Sequence, residues 1–196
     1  MFGDMPETEY VTIENICSTI TDGTHQPPKF VSDGIPFLFV SNIITNQISY
    51  NTEKFISEET YSALIKRTPI EVGDILLSTV GSYGHPAIVQ STKKFCFQRH
   101  IAYLKPKKKM INSEYFHSAI LSGDVRRQID EHVKGVAQKT LNLSDIRKIR
   151  LPLPSLDRQN QFATFVQVTH KSKLAVQKSL EELELLKKSL MQEYFS

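Results

Sequence analysis

Hydrophobic residues change their spacing near residue 151 of this chain. Before that point, short apolar runs such as residues 35–40 and 75–80 are separated by Gly, Asp and Pro turn signals, a pattern typical of short strands. From residue 155 onward the chain contains neither glycine nor proline. The pattern predicts a globular head over residues 1–150, followed by a hinge and one long helix over residues 151–196.

One apolar stripe runs along the predicted helix. Ser155 or Asp157 can cap its start, and its apolar residues recur at helical spacings. At ~1.5 Å per residue the helix is roughly 55–60 Å long, too long for a head of this size to cover. We therefore expect a coiled coil with a partner helix. The expected interface consists of Val176, Leu180, Leu183, Leu186 and Leu190. The alternative is that these leucines pack against their own head.

The head mixes both kinds of element, so the predicted fold class is α+β. Strands are expected near residues 35–40, 75–80, 87–89, 95–97 and 101–104, and residues 11–13 are expected to begin a strand or a short helix. Residues 75–80 and 87–89 are expected to form a hairpin across a Gly-rich turn. Helices are expected at residues 57–66, from Ser113 as cap towards Ser122, and at 125–133.

Charge is unevenly distributed, although the net charge is only +3. No acidic residue occurs between Asp74 and Glu114, and this stretch contains Lys93, Lys94, Arg99, Lys105 and the run Lys107–Lys109. Together with the polar side chains around them, these cations indicate a nucleic-acid-binding face. The alternative is that the lysine run is a solvated turn.

Several other classes of protein are disfavoured. Cys17 and Cys96 form no C-x-x-C pair and are expected to be buried thiols, so we expect no disulfide, metal site or cofactor. The chain has no basic-then-apolar leader and no apolar run of ~20 residues, so we expect a soluble, cytoplasmic protein without a membrane segment.

Catalytic signatures were sought and not found. No acid is followed two residues later by lysine, as a PD-(D/E)xK nuclease requires. The Pro27-Pro28 pair follows Gln26 and not the Asn or Asp of an amino-methyltransferase loop. The glycines at 81 and 84 lack nucleotide-loop spacing. We expect no catalytic residues.

Five segments in order resemble a known family. They are DGTHQPP at 22–28, GIPFLFVSN at 34–42, GDILLS at 73–78 with GSYG at 81–84, Gly135-x-x-Gln138 with Leu141-x-Leu143, and LPLP at 151–154 before a Gln161-containing helix start. This order resembles the target recognition domain and conserved helix of type I restriction-modification specificity subunits. A full subunit of that family has two such domains and two such helices, whereas this chain has one of each and no internal repeat.

The resemblance implies a subunit without catalytic activity that reads half of a bipartite double-stranded DNA target. It also implies that the helix docks methyltransferase and restriction subunits, and two-fold pairing of two copies implies a palindromic target. Two alternatives stay open. The chain could be a protein-interaction adaptor without DNA binding, or the recognition fragment of a fused restriction-methylation enzyme.

The chemistry of base and phosphate recognition ranks the side chains of the head. Arg, Lys, Asn and Gln on loops suit base edges, and hydroxyl, His and Lys side chains suit phosphates. Asn42 has the alternative role of a turn cap, and His25 that of a structural hydrogen-bonding residue. The expected DNA-binding residues are Thr24, His25, Gln26, Asn42, Ser82, Tyr83, His85, Gln98, Arg99, Lys107, Lys108, Lys109, Gln138 and Lys139.

Overall fold

A computed structural model describes residues 9–133 and 139–195 of the chain. Within these ranges the strands are β1 Tyr10–Thr12, β2 Cys17–Asp22, β3 Ile35–Leu38, β4 Phe55–Ile56, β5 Ile75–Ser78, β6 Pro86–Ile88, β7 Cys96–Phe97, β8 Ile101–Pro106 and β9 Arg150–Pro152. The helices are α1 Ile13–Ile16, α2 Glu58–Leu64, α3 Ser113–Ile120, α4 Gly123–His132, α5 Leu143–Lys148 and α6 Leu156–Phe195. A single 3₁₀ turn, Val40–Asn42, follows β3. The predicted α+β class with a long C-terminal helix is confirmed.

The centre of the head is an antiparallel sheet with the strand order β2-β8-β5-β6. β5 and β8 are apolar on both faces, because each face of the sheet is covered. One face packs on α1, α3, α4 and α5 through residues such as Leu77 and Leu104. The other face carries Leu76 and Tyr103, which pack on the loops around β3 and β7. The predicted β5–β6 hairpin is confirmed, with Ile75 opposite Ile88.

A smaller sheet with the order β4-β3-β7 covers that second face. β3 runs parallel to β7, with Leu38 opposite Phe97, and antiparallel to β4. Phe37 packs edge-to-face on Phe30 and Phe39 at centroid distances of 5.4 Å each. The parallel pairing fixes the chain after Leu38 and the chain after Phe97 at the same end of the head.

Helix starts follow the expected capping chemistry, with one correction. Ser57 caps α2, accepting a hydrogen bond from the amide of Thr60. At α3 the cap is Asn112 and not Ser113, because the Asn112 side-chain oxygen accepts from the amides of Glu114 and Tyr115. Ser113 is instead the first helical residue, and its hydroxyl donates to the carbonyl of Gly73.

The predicted hinge at residues 151–154 is partly a strand. Leu151 is buried and pairs with Val11 in the two-stranded β1–β9 ladder, and the amide of Leu153 donates to the carbonyl of Glu9. The Tyr115 hydroxyl also donates a hydrogen bond to the carbonyl of Pro152 in β9. The expected boundary between residues 150 and 151 therefore cuts through a strand of the head, and α6 leaves from a fixed base.

Helix α6 is attached to the head by its first turns only. Gln159 and Ala163 are its buried residues, and Phe162 packs edge-to-face on Tyr115 at 5.7 Å. Beyond Val166 every described residue of the helix is exposed. The helix has 40 residues and is therefore ~60 Å long. The expectation that the head leaves most of this helix uncovered is confirmed.

The two cysteines are free and buried, as expected. Burial raises the pKa of each thiol to about 12, so both are poor nucleophiles at neutral pH. No helix among the described residues is long and apolar enough to cross a membrane.

Candidate functional site

Four chain segments meet at one end of the central sheet. The amide of Thr24 donates to the carbonyl of Phe97, and the amide of Arg99 donates back to the carbonyl of Thr24. The amide of Thr79 then bonds to the carbonyl of His100, and the amide of Gly81 to the carbonyl of Lys139. We call this surface the loop edge: residues 23–26, 79–84, 97–100 and Lys139.

Gly23 permits the closest approach within the loop edge. A Cβ atom at this position would lie 2.1 Å from the carbonyl oxygen of Phe97 and 2.5 Å from that of Gln98. Only glycine lets the two loops come this close. As a result, the exposed side chains of His25, Gln26 and Arg99 are presented side by side from a rigid backbone.

The Gly81–Gly84 turn is held against α4. Gly81 and Gly84 have φ angles of 71° and 77°, which glycine adopts readily. The Arg126 guanidinium lies 4.9 Å from the centre of the Tyr83 ring and donates to the Tyr83 carbonyl. Tyr83 donates its hydroxyl to Asp130, while Ser82 at the tip of the turn is exposed.

The loop edge brings together eight of the residues expected to bind DNA. Several of these side chains also have partners within the fold: the Tyr83 hydroxyl is bound to Asp130, His25 to Asp22 and the Thr24 hydroxyl to the carbonyl of Gln26, and Gln98 is half-buried in a bridge with Thr24. Gln138 lies outside the described residues. The eight are Thr24, His25, Gln26, Ser82, Tyr83, Gln98, Arg99 and Lys139.

Asn42 and His85 have structural surroundings. The Asn42 amide oxygen accepts from the amide of Phe39, and its nitrogen donates to the carbonyls of Ser49 and Asn51. This buried side chain caps its own turn, the alternative considered from the sequence. Burial, and then the charge of Arg126, lowers the pKa of His85, so it lacks the positive charge that suits a phosphate.

The lysine run is not part of the loop edge. Lys107–Lys109 follow the far end of β8, whose six residues extend ~20 Å from its start beside Arg99. Lys107 donates its ammonium to the carbonyl of Asn15, and Lys108 lies 3.8 Å from Glu71. Arg99 and the lysine run therefore lie at opposite ends of β8, so the two do not share one surface.

Two arginines near the loop edge were not selected from the sequence. Arg126 holds the Gly81–Gly84 turn, and Arg67 bonds to Asp22 at the end of β2. Their partners lie 43 and 45 residues away in sequence. No local pattern signals contacts of this range, so only the fold reveals them.

The chain matches the model of the type I restriction modification DNA specificity domain over residues 7–185, and it belongs to that family. It is 30% identical over 164 residues to the type I restriction enzyme EcoBI specificity subunit of Escherichia coli, covering 84% of this chain and 34% of that protein. It is 23% identical over 201 residues to the putative type I restriction enzyme MjaX specificity subunit of Methanocaldococcus jannaschii, covering 99% and 47%.

Solved structures show the same fold. A chain described under "Structural basis underlying complex assembly and conformational transition of the type I R-M system" superposes with a TM-score of 0.66 at 18% identity, covering 98% of this chain and 46% of that one. The HsdS subunit from Thermoanaerobacter tengcongensis gives 0.59 at 16% identity, covering 91% and 41%.

The chain thus spans between a third and a half of the length of these relatives. The resemblance inferred from the sequence motifs is confirmed. The family to which the chain belongs is that of the type I restriction modification DNA specificity domain.

Proposed function

We propose that this chain is a DNA sequence-specificity module of a type I restriction-modification system. Its head reads one half of a bipartite double-stranded target, and α6 pairs with the α6 helix of a second copy. The paired helices dock the methyltransferase and restriction subunits in the cytoplasm. Residues 1–150 and 151–196 are the proposed recognition and assembly parts, with the first turns of α6 anchored in the head.

The loop edge carries the proposal for DNA reading. Gln26 and Arg99 are exposed on loops that are joined by main-chain hydrogen bonds. The Gln26 amide and the Arg99 guanidinium can each form two parallel hydrogen bonds with the edge of a purine. Ser82 and Lys139 lie beside them and suit phosphate contacts. A rigid edge also limits the conformational entropy lost on binding.

The exposed apolar side chains of α6 support the pairing. Leu180, Leu183 and Leu186 are 51–61% exposed, which is unusual for leucines that recur on one helix face. The segment with Lys171, Lys173 and Lys178 contains no acid, whereas Glu181, Glu182 and Glu184 follow it. Antiparallel pairing of two copies brings the basic segment of each helix towards the acidic segment of the other.

Pairing of this kind has a consequence for the target. Two heads at the ends of ~60 Å helices that overlap antiparallel are separated by tens of ångströms, a distance comparable with half-sites about one 34 Å helical turn apart. Because the two heads are identical and related by two-fold symmetry, the target they read together is palindromic.

Solution mass and directed methylation test the proposal together. The mass of the purified chain is measured alone and after mixing with its candidate methyltransferase subunit, and the mixture then methylates a random-sequence DNA pool. We expect a dimer that directs methylation to a palindromic bipartite motif. A monomer that neither binds the methyltransferase nor directs methylation would show the proposal to be wrong.

The alternative roles give different results in the same experiments. An adaptor without DNA function binds duplex DNA weakly, with no sequence preference and little dependence on salt. A fragment of a fused enzyme shows methylation or cleavage by the purified chain alone. The loop edge supports the recognition module, because it exposes side chains such as Gln26 and Arg99 whose chemistry suits base edges.

A further inference from the structure

Asp22 holds the side chains of Arg67 and His25 at the corner of the loop edge. Its Oδ1 atom accepts from Nη2 of Arg67 at 2.5 Å, and its Oδ2 atom bonds to Nε2 of His25 at 2.9 Å. The same Arg67 nitrogen lies 3.4 Å from the hydroxyl of Thr21. One carboxylate thus fixes a guanidinium and an imidazole next to each other.

Donor groups remain after these bonds are counted. Arginine has five N–H groups, and only the Nη2 atom of Arg67 is used among the described residues, which leaves Nε and Nη1. His25 uses Nε2, and its Nδ1 atom makes no hydrogen bond within the described chain.

Exposure places the positive charge on the outside. The side chains of Arg67 and His25 are each 54% exposed, whereas that of Asp22 is 15% exposed. An approaching molecule therefore meets the Arg67 guanidinium before it meets the carboxylate behind it. This arrangement suits an anion, because the exposed guanidinium keeps N–H donors that point away from Asp22, whose carboxylate is largely covered.

The position of this cluster is also informative. Asp22 ends β2 opposite Ala102 of β8, so the cluster lies at the same end of the sheet as Arg99 and Gln26. Arg67 comes from the turn after α2, where its amide bonds to the carbonyl of Leu64. The cluster therefore joins α2 to the loop edge.

We propose that Arg67 and His25 form a binding site for a backbone phosphate of duplex DNA, with Asp22 as the residue that positions them. The inference rests on the proposed recognition function, and it adds Arg67 and a sequence-independent contact to it. A guanidinium held by a carboxylate and a hydroxyl has lost most of its freedom before binding, so it is suited to fixing the register of a head on DNA.

A salt titration distinguishes a phosphate contact from a base contact. The affinity of full-length Arg67→Ala is measured on the target selected by the wild-type chain and on a scrambled duplex. We expect roughly tenfold weaker binding to both duplexes at one salt concentration. We also expect the slope of log K against log salt to become shallower by about 1 per head.

Arg158→Ala is the matched control. Arg158 is exposed on the first turn of α6, at the end of the head where Gln159 bonds to Met110 and Asn112, far from the loop edge. The same charge is removed, yet the slope and both affinities should stay at their wild-type values. Loss of binding to the selected target alone in Arg67→Ala would overturn the phosphate assignment in favour of a base contact.

The Arg67→Lys variant tests whether the effect of Arg67→Ala comes from a change in folding. It keeps the charge, so its salt slope should equal that of the wild type, even if its affinity falls because the planar fork is lost. An unchanged slope in Arg67→Ala, with a lower melting temperature in both variants, would make Arg67 purely structural.

If the wild-type chain binds no duplex, the recognition function itself fails. If the wild-type chain binds and Arg67→Ala keeps the wild-type salt slope, only the phosphate site is wrong.

Discussion

The buried amide side chain of Gln159 helps to attach the long helix to the head. The Gln159 side-chain oxygen accepts from the amide of Asn112, and its nitrogen donates to the carbonyls of Met110 and Pro154. All three partners are main-chain groups, and Gln159 has no exposed surface. Removal of this amide leaves polar groups buried without partners.

Gln159→Leu should therefore destabilise the fold although it preserves the volume of the side chain. We expect a decrease of roughly 2–4 kcal/mol in the free energy of unfolding, measured with urea. Gln161→Leu, two residues away on the exposed face, is the control and should change it by less than about 0.5 kcal/mol. Equal effects of the two substitutions would contradict the anchoring role.

His85 should make the stability of the head depend on pH. Burial and the nearby Arg126 lower the pKa of His85 in the folded chain below its ordinary value of 6.5. The unfolded chain therefore takes up a proton first as the pH falls below about 6.5, so stability decreases from there towards the folded pKa. His85→Gln should reduce the drop in urea midpoint between pH 7 and pH 5.5. An identical drop in the variant would show that His85 is not its source.

Turn-forming residues in the sequence predicted where the loops of the site occur, but not which of these loops contact one another. Asp22-Gly23 and the glycines at 81 and 84 are turn signals visible in the sequence, and they do form the loop edge. The turn-capping role of Asn42 was visible only as an alternative. What the sequence could not indicate is which loops meet, because Thr24 joins Arg99 and Gly81 joins Lys139 across long stretches of chain.

At the level of elements, periodicity was reliable where an element is long or exposed. Helix α6 was predictable because its 40 residues contain neither glycine nor proline, and its C-terminal half carries leucines at helical spacings. Strand β9 was mistaken for part of a hinge because of Pro152 and the following Pro154, yet it pairs with β1 near the other end of the chain. Proline is tolerated in such an edge strand, and only the distant partner reveals the pairing.

The apolar stripe of α6 makes a prediction about two of its leucines. Leu183→Glu combined with Leu186→Glu should convert a dimer into a monomer and leave the head folded, because two charges are placed in the seam, that is, in the expected helix–helix interface. Light scattering measures the mass, and a thermal melt checks the head. A dimer of unchanged mass would contradict the predicted seam.

Leu185→Glu is the control within the same helix turn. At 100° per residue, Leu185 points about 200° away from Leu183, and it is 71% exposed. It should therefore lie outside the seam and leave the mass unchanged. Dissociation by Leu185→Glu as well would mean that a broader face of the helix is covered, as in a bundle with further helices.

At the scale of the whole molecule, the helix pair and the two heads should act as one bivalent reader. Once one head is bound, the second head encounters its half-site at a high effective concentration, provided that the rigid helix pair holds the heads at the spacing of the two half-sites. A duplex with one half-site scrambled should then bind the wild-type dimer about 10²-fold or more weakly than the palindromic target.

The variant with Leu183→Glu and Leu186→Glu should lose this discrimination but keep the head. It should bind the full and the half-scrambled duplexes with affinities within about twofold of each other, since a monomer contacts one half-site at a time. Fluorescence anisotropy on the two duplexes provides the comparison. If the wild-type chain also failed to distinguish them, its heads would not be acting together, and pairing through α6 would serve a purpose other than reading a bipartite target.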